Sequence, residues 1–255
     1  MSSPIFTRYH REDWADIVNR SARLASVACN PNGLRALRSW RPFSISSFRI
    51  VEGLRQLNLS FRTILDVGAN IGQFTAAALG TWPDATLIAF EPLPDAARRL
   101  RGRPDRSRVE LHELAVGDRD GTITFHPHRY SLSSSVLPTL ASFRDEGWGK
   151  ESPPIETLVR RLDTVLHDRV LRGPVLLKLD VQGYESAVLA GAARTLEQVD
   201  ALVLEMAFSQ SYEGQPLFPT VHRTLDENGW RCVEPLDSRL VGSRIAEADF
   251  LYVRQ

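Results

Sequence analysis

Cysteine is scarce in this chain. Its 255 residues include two, Cys29 and Cys232, far apart and with no histidine or further cysteine beside either. That argues against a disulfide framework and a structural zinc, and leaves two free thiols in a reducing cytosol as the expectation. Long apolar runs are missing, since none approaches the ~20 residues needed to cross a bilayer. The opening MSSPIFTRYHRED lacks a basic start followed by an apolar core, so it does not read as a secretory signal. A cytoplasmic protein with no membrane span is the expectation. Net charge is absent too, with 31 Lys plus Arg against 31 Asp plus Glu. This argues against a nucleic-acid partner held by counterion release. Lysine itself is nearly missing: only Lys150 and Lys178 occur, and every other basic residue is arginine. We read that bias as the codon usage of a GC-rich genome.

What is present is a repeating order of elements. Residues 10 to 60 look helical, with Trp14, Ile17, Val18, Leu24 and Val27 at apolar positions, a break at NPNG (30–33), and a further helix over 46–57. Nine Arg against four acids in the first 60 residues make this segment locally basic. We take that as a solvated helical face, with an acidic partner or a second copy of the chain as the minority option. Strand-like runs follow at 63–68, 86–92, 109–117, 122–127, 174–181 and 201–206, with helix-like stretches at 72–80, 94–102, 184–197 and 217–229. The alternation predicts a mostly parallel sheet covered by helices on both faces. Two last strands, 230–235 and 249–255, have only a loop between them and should close one edge as an antiparallel hairpin. Residues 128–155 are rich in Ser, Pro and Gly and too long for an ordinary connection, so they read as an active-site loop. The predicted organisation is a helical cap over 1–60 and a main domain over 61–255.

Chemistry concentrates where strands end. ILDVGANIGQF (64–74) runs from a strand through Gly68, Asn70 and Gly72 into a helix, which sets bare backbone and N–H groups against a ligand. Asp66 at the strand end would repel a pyrophosphate and favour a ligand with a positive sulfonium, which points to S-adenosylmethionine. Glu91 in AFEP closes the next strand 25 residues after Asp66, near the offset at which an acid grips ribose hydroxyls, and Pro92 turns the chain. Ala115 and Val116 would line an adenine slot. Asp118 in GDRDG suits an exocyclic amine or, equally, a tight turn. In LLKLDVQGYESAVLAGA (176–192), Asp180 closes a strand, and Glu205 closes the next. Two carboxylates on neighbouring strands suit a base and its partner, or joint ligands of a divalent cation. For Glu185, capping a helix or pairing with an arginine is the preferred reading over function. His126 and His128 lack a third ligand and read as loop residues, and neither they nor His10 is the preferred base.

DVGANIGQF, FEP and KLDVQGYESAVLAGA, in this order, resemble the FkbM family of S-adenosylmethionine-dependent methyltransferases, from about residue 60 to 210. The resemblance implies an α/β class I methyltransferase fold, Rossmann-like, with a seven-stranded mostly parallel sheet and an antiparallel C-terminal strand. It implies O-methylation of a sugar hydroxyl in a glycolipid, polysaccharide or glycosylated natural product. By the same resemblance Asp66, Gly68, Asn70, Gly72 and Glu91 contact the cofactor, with Phe74 and Pro92 in the same motifs. Asp180 becomes an active-site acid, and we assign Glu205 as its partner. Gln182 stands where many members carry Glu, which puts a charged role there in doubt. No protein metal site is expected, and Mg²⁺ stays open as an aid to hydroxyl activation. Metal-assisted methylation of another small-molecule hydroxyl, or a non-catalytic nucleotide-binding module, remain alternatives. A dehydrogenase would show G-x-G-x-x-G and often Tyr-x-x-x-Lys, and a nucleic-acid methyltransferase would show Asn/Asp-Pro-Pro-aromatic or Pro-Cys. Neither pattern occurs.

Overall fold

The computed structural model describes residues 21–25, 27–144 and 150–255. Trp14, Ile17 and Val18 lie outside them. Helix α1 (Gly33–Ser39) starts at the end of NPNG, where a Cβ on Gly33 would lie 1.6 Å from the Val27 carbonyl oxygen. The break is therefore a close approach of two helical segments, and α1 lies within the 10–60 stretch read as helical. Helix α2 (Ile45–Gln56) begins at Ser44, whose hydroxyl accepts from Ser47 N, and buries Phe48, Ile50, Val51 and Leu54.

The main sheet has seven strands in the order β3-β2-β1-β7-β8-β10-β9. Its parallel part comprises β1 (Thr63–Val67), β2 (Thr86–Phe90), β3 (Val109–His112), β7 (Val175–Leu179) and β8 (Ala201–Ala207). Each residue of β1 and β7 is buried, as aliphatic-rich runs covered on both faces require. Helices α3 (Gln73–Thr81) and α4 (Pro94–Arg101) follow β1 and β2. Helix α5 (Glu185–Ala190) follows β7, and α6 (Phe218–Glu227) follows β8. The predicted hairpin is present but longer than read. It runs through β9 (Trp230–Val241) and β10 (Arg244–Arg254), with β10 antiparallel to both β8 and β9. Pro235 lies on the edge strand β9 beside a register shift, where its missing N–H breaks no regular ladder.

Three readings need correction. The run 109–117 is two strands: after β3 the chain leaves the main sheet, and β4 (Ala115–Val116) enters a second sheet of order β4-β6-β5. The run at 122–127 is β5 (Gly121–Phe125) of this small sheet, and its central strand β6 (Ile155–Arg160) was not anticipated. Helix 184–197 breaks at Gly191, where a Cβ would lie 1.9 Å from the Gly117 carbonyl oxygen. That contact fastens the end of α5 to the small sheet.

Two apolar cores flank the main sheet. One joins α1, α2 and α3 to Ile64, Leu87, Leu176 and Val203. The other joins α5 and α6 to Leu65, Ile88, Leu177 and Leu204. Among the described residues, no helix is long and apolar enough to cross a membrane.

Candidate active site

The turn after β1 is bound on both sides. Gly68 N and Ala69 N both donate to the Phe90 carbonyl, at 3.0 and 3.1 Å. A Cβ on Gly68, whose φ is 83°, would sit 1.9 Å from the Asp180 carbonyl oxygen. Glycine is thus required here by the end of β7, as well as by the left-handed backbone. Asn70 also has a positive φ of 49°, and its Oδ1 accepts from Ile71 N and from Ser131 Oγ. Gly72 departs from the expected ligand contact: its Cβ would meet Leu100 Cδ1 at 2.5 Å, on the α4 side.

Glu91 closes β2 and is nearly buried. Its Oε2 accepts from Asn70 N at 2.7 Å and its Oε1 from Leu93 N at 2.8 Å. Burial pushes its pKa up to about 7, against the pull of these two backbone donors. A carboxylate has roughly four acceptor positions, so each Glu91 oxygen retains capacity for a hydroxyl donor. Glu91 lines a cleft of about 550 Å³ with Gly68, Asn70 and Pro92. Leu114, Ala115 and Val116 form an apolar wall of the same cleft, and Ser131, Leu132 and Val136 of the long loop form another. The loop is partly packed, with Ser133, Ser134, Ser135 and Thr139 buried.

Asp66 and Phe74 do not line this cleft. Asp66 is fully buried beneath the turn, and its Oδ2 accepts from Thr75 Oγ1 at 2.8 Å. Its Oδ1 has no hydrogen-bond partner among the described residues. Burial raises its pKa, opposed by the Lys178 ammonium and the Thr75 hydroxyl. Lys178 Nζ lies 5.3 Å above the Phe74 ring. The cation facing Asp66 is therefore a lysine of the chain. Asp118 stays at its turn, within 3.4 Å of Tyr184 Oη and Arg119 Nη1. Nor do the loop histidines line the cleft: His126 bridges to Ser135 through its backbone, and His128 Nε2 is 2.8 Å from Thr139 Oγ1.

Asp180 does line it, at the carboxyl end of β7. Lys178 Nζ donates to Asp180 Oδ2 at 2.9 Å. Burial works against the Lys178 charge, but Asp180, Asp66 and Asp249 outweigh it and push its pKa up. Asp180 and Glu205 end adjacent strands as predicted, yet a third side chain stands between them. Gln182 Nε2 donates to Asp180 Oδ1 at 3.1 Å and to Glu205 Oε2 at 2.5 Å. Burial, then Glu247 and Asp180, push the Glu205 pKa up. Glu185 Oε1 accepts from Val181 N and Gly183 N, which braces the turn ahead of α5 in place of an arginine pair. The sequence reading missed Asp249. It faces Glu205 across β8–β10 and Asp237 across β10–β9, and burial with Asp180 nearby pushes it up to about 8. An acid inside the apolar run ADFLYV was the available signal.

Donor chemistry decides which small molecules these residues suit. A carboxylate with spare acceptor positions suits a ribose diol, the apolar wall suits an adenine ring, and the anionic end at Asp180 suits a sulfonium. S-Adenosylmethionine combines the three and fits. A divalent cation fits less well. The space between Asp180 and Glu205 is bridged by amide hydrogens, and no three His, Cys, Asp or Glu side chains among the described residues could hold a metal.

The sheet order and this cleft define a class I methyltransferase with S-adenosylmethionine as cofactor. Residues 66–232 match the methyltransferase FkbM domain, and the chain belongs to that family. Among characterised relatives it is similar to the 2-O-methyltransferase NoeI of Sinorhizobium fredii (strain NBRC 101917 / NGR234). The two are 37% identical over 162 residues, which is 60% of this chain and 66% of NoeI. It is 30% identical over 206 residues to the 31-O-demethyl-FK506 methyltransferase FkbM of Streptomyces tacrolimicus, covering 71% of this chain and 77% of that protein. It is 30% identical over 143 residues to the hexuronic acid methyltransferase AglP of Haloferax volcanii, covering 55% of this chain and 54% of that protein.

Proposed function

We propose that this methyltransferase acts on a hydroxyl oxygen of a sugar, in a glycolipid, a polysaccharide or a glycosylated natural product. The observation that carries the reading is the placement of Asp180: a part-exposed carboxylate in the same cleft as Glu91, with both oxygens held. The activities named for NoeI and FkbM, both at oxygen, and for AglP, on a hexuronic acid, support the acceptor class.

Glu91, Gly68, Asn70, Pro92, Ala115 and Val116 would hold the cofactor, which when bound supplies an electrophilic methyl carbon. The chain's remaining task is to orient the acceptor and take its proton. Orientation in such a transfer is worth about 7–11 kcal/mol of barrier. A sugar hydroxyl is too weak an acid for a carboxylate to deprotonate beforehand. Asp180 therefore accepts the proton as the new C–O bond forms. Lys178 balances the Asp180 charge in the ground state, and the Gln182 bridge ties Asp180 to Glu205.

The test is methyl transfer from labelled cofactor to methyl glycosides of hexoses, deoxyhexoses and hexuronates. Asp180→Asn should retain cofactor binding and lose about 10²–10⁴ in rate. An unchanged rate would remove Asp180 as the proton acceptor. Transfer to none of these sugars would remove the acceptor class.

A further inference from the structure

We propose that Gln182 is a positioning residue for methyl transfer, its amide fixing Asp180 and Glu205 relative to each other and Tyr212 fixing the direction of that amide. The inference rests on the reading of Asp180 as the proton acceptor. Chemistry determines the amide's orientation. Nε2 faces two carboxylate oxygens, and Oε1 faces the Tyr212 hydroxyl at 2.9 Å. Turned over, the amide would set its oxygen against both carboxylates and its N–H₂ against a hydroxyl proton. Tyr212 Oη also lies 2.8 Å from the Ser133 carbonyl, so its single proton is shared between the amide oxygen and the long loop.

The backbone points to the same role. Gln182 has a φ of 54°, a left-handed conformation that glycine or asparagine adopts far more readily than glutamine. Strain of this kind persists only where surrounding bonds hold it. Here Ser135 Oγ donates to the Gln182 carbonyl at 2.7 Å, and Glu185 Oε1 accepts from Val181 N and Gly183 N on either side. A residue kept in an unfavourable conformation, with both N–H donors and one acceptor position of its side chain used, is kept for that side chain. Its effect falls on Asp180. Gln182 holds Oδ1, Lys178 holds Oδ2, and the side chain remains 29% exposed toward the cleft.

The charge environment makes the amide consequential. Facing Asp180 and Glu205 are Asp66 from β1, Glu91 from β2, Glu185 from α5, and Glu247 and Asp249 from β10. Lys178 of β7 is the cation bonded to Asp180, and the Tyr212 hydroxyl lies in the same field. In so anionic a place, an N–H donor to Glu205 favours its ionised form. Without the amide Glu205 should keep a proton to higher pH.

Gln182→Met keeps the chain length and removes the donors. The carboxyl ¹³C resonance of Glu205 would be titrated in wild type, Gln182→Met and Tyr212→Phe, with S-adenosylhomocysteine affinity measured by calorimetry in the same samples. The expected result is a rise of about one pH unit in the midpoint for Gln182→Met, with affinity held within about threefold. Tyr212→Phe, which removes neither donor, should give a smaller rise in the same direction. It carries the test alone if Gln182→Met does not fold. Unmoved midpoints with a lowered melting temperature would make the amide merely structural and overturn the proposal. Wild-type protein that takes up no S-adenosylhomocysteine would remove the methyl-transfer reading itself, a result distinct from unmoved midpoints.

Discussion

The backbone N–H of Asn70 donates to Glu91 Oε2 at 2.7 Å, so the turn after β1 and the acid closing β2 form one hydrogen-bonded unit. A change in either is felt by the other, which gives the cofactor cleft a single point of failure.

Glu91→Ala should therefore weaken S-adenosylhomocysteine binding by at least about tenfold, since hydrogen bonds to a charged group are worth about 1.5–3 kcal/mol. The fold should survive, because β2 keeps its ladder to β1 and β3. Calorimetry and circular dichroism on the variant check the two halves. Unchanged affinity would mean that the ribose is held elsewhere.

Cofactor affinity should rise with pH through about 7, where Glu91 ionises and becomes a full acceptor for hydroxyl donors. Stability of the free protein should move the other way. Glu91 and Glu185 at about 7 and Asp249 at about 8 all lie above their unfolded values. The folded state thus binds more protons, and stability falls as pH climbs from about 4.5 to 8. Glu52, held near 2 by Arg55, removes stability at the acid end, below about 4.5. Melting temperature against pH, with and without S-adenosylhomocysteine, reads both trends. A rise in apo melting temperature between pH 5 and 8 would contradict them.

Lys178→Met should destabilise the protein by about 3–5 kcal/mol, the usual consequence of leaving buried charge without its partner. The ammonium is the cation that Asp66, Asp180 and Asp249 share in the interior of the sheet. Denaturant melts give the value. A loss below about 1 kcal/mol would contradict the role of Lys178 as their shared partner.

Gly191→Ala should impair cofactor binding from outside the cleft. Its Cβ would lie 1.9 Å from the Gly117 carbonyl oxygen, pushing away the strand that carries Ala115 and Val116. We expect a loss of about 1–3 kcal/mol in stability from the overpacking, with weaker S-adenosylhomocysteine binding. Gly102→Ala, where φ is −75° and a Cβ meets nothing nearer than 3.5 Å, is the control.

Much of this architecture was legible without coordinates. Aliphatic-rich runs without polar alternation at 63–67 and 175–179 mark strands covered on both sides, and the structure buries each of their residues, Asp66 and Lys178 included. Local pattern failed where pairing was not local. Nothing in VELHELAVG shows that its second half leaves one sheet for another, because β4 is defined by its partner β6, some 40 residues later. The same limit applies to the site. Gly72 and Gly68 look alike in sequence, yet one faces α4 and the other abuts the end of β7.

By itself the sequence determined the alternation of main-sheet strands and helices, the glycine turn and which of those strands end in acids, because these follow from periodicity and residue type over a few neighbours. The tertiary structure alone decided which of those acids share a cleft. It set Asp66 behind the turn against Lys178, placed Asp249 opposite Glu205, and brought the Gln182 amide between two carboxylates. The physical reason is lateral: strands far apart in the chain lie side by side, and the charge state of each buried acid is set by neighbours that only the folded sheet supplies.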